Sequence, residues 1–206
     1  MQLVMAGNDT QGLRYGTIET PEKHYLEWKE SENSEEPTFE CDNALDRHLS
    51  QVCNKARFLE IIHDYIVFDS GVKKTCRHNQ YFGIREAKKH IARREGGIIW
   101  HTQGSGKSLT MVWLAKWIRE NVSDARVLII TDRTELDEQI EKVFKGVDED
   151  IERSKSGAHL LASINKPNPW LLCTLVHKFG RKGENSDESV TKDYIEELRA
   201  NLPKDF

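Results

Sequence analysis

The chain lacks close cysteine pairs: its four cysteines, Cys41, Cys53, Cys76 and Cys173, form no C-x-x-C motif. Structural zinc sites usually draw on such pairs, so a set made from Cys41, His48 and Cys53 has the wrong spacing. Reduced, structural thiols of a cytosolic protein are the expectation. Long apolar runs are absent too. No stretch approaches the ~20 residues of a membrane span, and "MQLVMAGNDT" has neither the basic start nor the apolar stretch of a secretory signal. The expectation is a cytoplasmic protein without membrane contact. Nor is there an excess of positive charge. Thirty Lys and Arg face 34 Asp and Glu, a net charge of −4. No global basic field advertises nucleic acid, although local basic patches are what touch phosphates.

With 206 residues, 37% hydrophobic and 31% charged, the chain can bury a real core. The first 30 residues mix short apolar runs with turns and read as one or two strands. "SENSEEP" (31–37) is an acidic, polar linker. Leu45, Leu49, Val52, Ala56, Leu59, Ile62 and Ile66 recur at three- and four-residue steps, which predicts a helix through "ALDRHLSQVCNKARFLEIIHDYIVF". "DSGVKKTCRHNQ" is a turn-rich basic connection, and "QYFGIREAKKHIARREGG" a second amphipathic helix ended by Gly96 and Gly97. The basic run from Arg85 to Glu95 suits either DNA contact or a solvated helix face.

From residue 97 the rhythm changes. "GIIW" predicts a strand, "KSLTMVWLAKWIREN" a helix, "RVLIIT" a buried strand, and "TELDEQIEKVFK" a helix with Thr134 and Asp137 in capping-box positions. A further strand is predicted in "WLLCTLV" at 170–176. Strand, loop, helix, strand and helix form the βαβ pattern of a parallel sheet. The fold class is α/β: a partial P-loop parallel sheet with flanking helices, preceded by a mixed and helical N-terminal segment.

Between "GIIW" and its helix lies "HTQGSGKS", His101 to Ser108. A phosphate-holding loop needs glycines so that backbone N–H groups converge on anionic oxygens. It also needs a lysine for the β- and γ-phosphates and a hydroxyl for Mg²⁺. Gly104 and Gly106, Lys107 and Ser108 supply these, and the helix beginning near Lys107 aims its positive end at the same place. The common pattern G-x-x-x-x-G-K-S/T would put glycine where His101 stands. That departure argues against a generic P-loop kinase or GTPase and is tolerated in helicase-type motors.

"GGIIWHTQGSGKSLTMVWLA" resembles the first helicase motif of the R (motor and restriction) subunit of type I restriction endonucleases, a superfamily 2 helicase-like family. The lead-in Trp100-His101-Thr102-Gln103 is more specific than the loop itself. "LIITDRTELDEQI" resembles that family's next motor motif, "NKARFLEIIHDYIVF" its link from nuclease to motor, and "LRYGTIETPEKHYLEWK" the segment leaving its nuclease. "CTLVHKF" resembles a strand end before its second ATPase motif. The resemblance implies an ATP site at Thr102, Gln103, Gly104, Ser105, Gly106, Lys107 and Ser108, with Mg²⁺ held through the Ser108 hydroxyl. It implies Gln80, 27 positions before Lys107, as a reader of adenine, since a carboxamide both donates and accepts. A helix-starting surface glutamine is the other reading of Gln80. Arg133, Thr174 and Lys178 are implied as contacts to nucleic-acid backbone. Arg133 also suits a helix cap or a pair with Glu135. The implied partners are double-stranded DNA and the methylation and specificity subunits of a type I restriction complex.

A second carboxylate motif, an apolar strand ending in Asp-Glu, is what such a motor needs to hold Mg²⁺ and poise water. Asp137-Glu138 falls in a helix pattern, Asp148-Glu149 follows the short, polar "FKGV", and Asp187-Glu188 lies in a loop. None fits. A nuclease metal site spelled by Asp9 and "EWK" (Glu27 to Lys29) falls after the family's own triad by resemblance. The expected organisation is therefore part of an R subunit. Residues 1–36 would end a nuclease-type domain, 37–95 form a helical linker with the adenine motif, and 96–206 form the N-terminal half of a RecA-like ATPase domain. The full enzyme would couple ATP-driven DNA translocation to endonucleolytic cleavage, with this stretch inactive alone. Two alternatives stay open: a truncated, non-catalytic remnant that binds nucleotide weakly or not at all, and an unrelated P-loop ATPase.

Overall fold

Cross-strand pairing begins at the N-terminus of the computed structural model, which describes residues 3–30 and 41–176. The chain divides into two compact units, Met1–Leu114 and Ala115–Phe206. In the first, β1 (Val4–Asn8), β2 (Gly12–Gly16) and β3 (Leu26–Glu27) form an antiparallel sheet in that order. Helix α1 (Ala44–Val52) packs on this sheet through His48, whose Nδ1 accepts the Leu13 N–H at 3.0 Å. That bond takes one ligand atom away from the Cys41–His48–Cys53 zinc set, and all four cysteines are free thiols. Glu27 pairs with Arg14 and Lys29, bracing β2 against β3.

The single helix expected across residues 45–66 is three elements. Asn54 interrupts it, its side chain accepting from the N–H groups of Ala56 and Arg57 to cap α2 (Lys55–Asp64). The β-branched pair Ile66-Val67 then opens β4 (Ile66–Asp69), which meets β5 (Val72–Thr75) across Ser70-Gly71, both at positive φ. The basic connection is thus a hairpin. Helix α3 (His78–Ala92) stops earlier than expected, with Arg94 rather than a glycine taking the left-handed conformation at φ 56°. Its basic run is partly paired within the chain: Lys88, largely buried, bridges Glu60 and Asp64, while on the surface Lys89 pairs with Glu86 and Arg93 with Glu95.

The core of this unit is aromatic. Tyr15, Trp28, Tyr65, Tyr81 and Trp113 are buried, and tilted ring pairs run from Tyr15 through Trp28 and Tyr81 to Tyr65 and Trp113. Arg57, only 3% exposed, sits 5.3 Å from the centre of Trp28, 5.6 Å from Tyr81 and 5.7 Å from Phe82. It is ion-paired with Glu30 and donates to the Gln51 carbonyl at 2.6 Å; Glu30 also accepts from Trp28 Nε1 at 2.6 Å. Cys76 is fully buried beside Tyr15, whose hydroxyl donates to the Cys76 carbonyl at 2.9 Å.

The second unit begins inside α4 (Lys107–Asn121), at Ala115. It contains β6 (Val127–Thr131), α5 (Thr134–Gly146), β7 (Glu152–Arg153), α6 (Gly157–Ile164) and β8 (Leu171–Leu175). The three strands are parallel in the order β6-β8-β7, with Ile129 opposite Cys173 and Arg153 opposite Cys173 from the other side. Every β8 residue is buried, as expected for a central parallel strand with both faces covered, while Ile130 on β6 is 53% exposed. Parallel sheet, flanking helices and a mixed, helical N-terminal region together give the α/β class read from the sequence.

The capping box expected at Thr134 and Asp137 does not form, because Arg133 is the N-cap. Asp137 instead turns inward, 0% exposed, ion-paired with Arg153 on β7 and accepting the Cys173 thiol at 2.6 Å. Burial, with Asp137 alongside, pushes the Cys173 thiol up to about 12. The strand expected at "GIIW" is also absent. Residues 95–100 have no regular structure, and Ile98 and Trp100 are each 89% exposed. Four apolar residues between turns mark a strand candidate, but pairing depends on neighbours distant in sequence.

Arg57→Met leaves Glu30 buried without its cation and should cost about 3–5 kcal/mol in urea unfolding; Arg57→Met/Glu30→Gln should recover most of that loss. Equal losses in both variants would show that packing, not the charge, is at stake. Burial first, then Arg47, lowers the His48 pKa. The neutral ring is the one that accepts from Leu13. This contribution is therefore full above the unfolded value near 6.5 and is lost as pH falls toward the lowered folded value. His48→Gln should flatten that part of the stability profile, measured by thermal unfolding from pH 8 to pH 5.

Candidate nucleotide-binding site

His101 to Ser108 connect the irregular 95–100 stretch to α4, and Lys107 is the first residue of that helix. Gly104 and Gly106 take φ of +77° and +85°, conformations nearly closed to other residues. A Cβ on Gly104 would meet nothing within 4 Å, so this side of the loop opens onto vacant space. A Cβ on Gly106 would sit 2.5 Å from Gln80 Nε2. Gly106 is thus required twice, by its backbone and by its neighbour.

The loop closes on itself through Thr102, whose carbonyl accepts from Ser105 Oγ at 2.8 Å and from Lys107 Nζ at 2.8 Å. Lys107 Nζ also donates to the His101 carbonyl at 2.7 Å, and its side chain is exposed. Ser108 lies one residue into α4 and is half-buried. Thr102 and Gln103 are exposed. The loop therefore gathers a primary ammonium, a hydroxyl and a helix N-terminus beside open space, a combination suited to an oxyanion.

Gln80 comes to this loop through the first turn of α3. It is 2% exposed, and both ends of its carboxamide are engaged. Nε2 donates to the Gly106 carbonyl at 2.8 Å, and Oε1 accepts the Arg77 N–H at 2.8 Å. Arg77, a residue the sequence did not single out, reaches the loop as well: Nη1 donates to the Gly104 carbonyl at 3.1 Å. The signal available for it was a basic residue three positions before Gln80.

The residues implied as nucleic-acid contacts divide. Arg133 is 78% exposed at the N-cap of α5, 3.7 Å from Asp132. Thr174 is fully buried, its hydroxyl shared with Ser154 Oγ at 2.6 Å, so it serves the interior of the sheet. Lys178 lies outside the described residues. Of the Asp-Glu pairs, Asp137 is held by Arg153, and Glu149 pairs with Lys116 and Arg119. Asp187-Glu188 lies outside the described residues.

The loop lies inside a stretch that matches known proteins. The SWI2/SNF2 ATPase family matches residues 79–200, more than half of the chain and the whole 101–108 loop. An endonuclease subunit of a Methanocaldococcus jannaschii type I restriction enzyme, MjaIXP, is 27% identical over 209 residues, covering 88% of this chain and 20% of its own. The HindI type I endonuclease subunit of Haemophilus influenzae is 26% identical over 146 residues, 64% of this chain and 14% of its own. The corresponding Staphylococcus saprophyticus subunit, SsaAORF53P, is 23% identical over 193 residues, 91% of this chain and 20% of its own. The chain thus spans a fifth or less of the length of these relatives. A glycine loop led by Lys107 at the start of α4, inside the matched stretch, accords with one assignment: the chain belongs to the SWI2/SNF2 ATPase family, in a form similar to type I restriction endonuclease subunits.

Proposed function

We propose that residues 102–108 bind the triphosphate of ATP, as the ATP-binding part of a type I restriction R subunit. The observation that carries this reading is the loop with Gly104 and Gly106 at positive φ, opening into Lys107 at the first position of α4. The backbone N–H groups there carry the positive end of the helix and meet the phosphate oxygens. Lys107 exchanges the carbonyls of His101 and Thr102 for the β- and γ-phosphates. Ser108 fits one coordination position of Mg²⁺, which when bound neutralises charge on the phosphates.

The wider role rests on the relatives and on the motif resemblance. The whole subunit would couple ATP hydrolysis to translocation on double-stranded DNA and to endonucleolytic cleavage, in a complex with methylation and specificity subunits. Arg133, exposed at the sheet's carboxyl edge, is the candidate contact to DNA phosphate. Residues 1–36 would close a nuclease-type domain, 37–95 link it to the motor, and 96–206 begin a RecA-like domain. Residues 177–206 complete that last span without structural description.

Lys107→Ala removes a charge-assisted contact worth roughly 1.5–3 kcal/mol and should weaken ATP–Mg²⁺ about tenfold or more. Titration with a fluorescent ATP analogue measures this, and equal affinities would mean that the loop is not the site. The 206-residue chain should also turn over ATP far below the ~1–100 s⁻¹ of phosphoryl-transfer enzymes. Among the described residues no strand ends in Asp-Glu to poise water. DNA-stimulated turnover in that range would reveal a carboxylate elsewhere.

A further inference from the structure

We infer that Asp137 is the positioning residue for Arg133: one inward carboxylate fixes the turn and the helix end that carry this guanidinium. The inference rests on Arg133 being a contact to DNA phosphate and specifies what holds it in place. Residues 132–139 run from the end of β6 through the first turn of α5. Asp137 is the only buried member of that stretch, at 0% exposed, and all the others are exposed. Leu136, the one apolar side chain among them, is 37% exposed, and burial resumes at Ile140. What seats this end of α5 is therefore a charge.

The Asp137 carboxylate meets all three strands of the sheet. Oδ1 accepts the Cys173 thiol from the centre of β8 at 2.6 Å and lies 3.5 Å from the Thr131 hydroxyl at the end of β6. The other oxygen, Oδ2, is ion-paired with Nε of Arg153, the last residue of β7. Apolar burial has no preferred direction, whereas bonds to an ionised group are short and oriented. A buried ion pair is weak evidence for stability, because desolvation offsets much of its attraction. Its contribution here is orientation. The Asp137 N–H donates to the Arg133 carbonyl at 3.1 Å, closing the first turn from the anchored residue to the cap. The Arg133 side chain is 78% exposed and 3.7 Å from an exposed Asp132, a surface pair that holds a side chain weakly. Its direction toward a phosphate is set by the backbone that Asp137 fixes.

The test uses the 206-residue chain and a short fluorescein-labelled DNA duplex, titrated at several salt concentrations. Arg133→Ala should weaken binding about tenfold. The slope of log affinity against log salt should shrink by about one, as for one lost phosphate contact. Asp137→Asn keeps the side chain's size but loses its charge, and Arg153 still has Glu138 and Glu141 at 3.6 and 3.9 Å. It should reproduce most of the Arg133→Ala loss and the smaller slope. The double variant should then bind no more weakly than Arg133→Ala. Losses that add, or wild-type affinity in Asp137→Asn, overturn the inference. Hydrogen exchange needs no ligand. In Asp137→Asn the amides of residues 137–140 should exchange faster while those of 171–175 keep wild-type protection. Unchanged exchange at 137–140, or equal acceleration in β8, refutes a local anchor. Cys173→Ala and Cys173→Ser give a milder comparison. Faster exchange at 137–140 in Cys173→Ala, restored in Cys173→Ser, supports the anchor, and identical exchange in the two counts against it. A wild-type chain that does not bind the duplex sinks the DNA-contact reading of Arg133, and the exchange data still decide whether Asp137 fixes the turn.

Discussion

The first unit depends on a charge placed where charge is expensive. Arg57 lies among Trp28, Tyr81 and Phe82, where Glu30 and the Gln51 carbonyl help offset the loss of water. Ring faces attract the guanidinium, so the aromatic residues are arranged around it as well as against one another. Trp28 follows β3, Arg57 belongs to α2, and Tyr81 and Phe82 lie in the first turns of α3. One buried cation therefore fixes the start of α3 to the sheet and to the preceding helix. Gln80 precedes Tyr81 directly. The interaction that anchors Tyr81 also sets where the Gln80 side chain stands relative to the 101–108 loop.

Local chemistry was legible in the sequence. The loop with Lys107 opening α4, the strands β6 and β8 and the helix α5 between them follow from glycine placement, apolar runs and periodicity. The elements that escaped are those decided by distant partners. "GIIW" has the composition of a strand, but its pairing is not written in its own four residues. Asp137 has the spacing of a capping residue, yet the ion pair with Arg153 and the thiol of Cys173 draw it into the interior. The long apolar periodicity at 45–66 hid a helix boundary that depends on a single asparagine cap. Short elements such as β7 and α6 have too little sequence to announce themselves.

The candidate site was legible in the same uneven way. Glycine, lysine and serine at fixed offsets follow from the needs of a bound phosphate, so 102–108 could be read directly. Gln80 was readable through resemblance alone, and then as a reader of adenine rather than as a neighbour of the loop. The geometry of that partnership, an amide spent on a helix cap and a glycine carbonyl, required coordinates. Thr174 was implied as a nucleic-acid contact by the resemblance alone. Its hydroxyl faces Ser154 because β7, only two residues long, lies beside β8.

The placement of the thiols gives each unit a chemical witness to its own opening. Cys173 is enclosed in β8 with its ionisation suppressed, and Cys76 is fully enclosed in the aromatic core of the other unit, where burial also pushes its thiol up. Alkylating reagents attack thiolates that solvent can reach. Neither cysteine meets that condition in the folded chain, whereas Cys53 lies on the surface. Modification of Cys76 or Cys173 would therefore time the transient unfolding of its own unit, with no label introduced from outside.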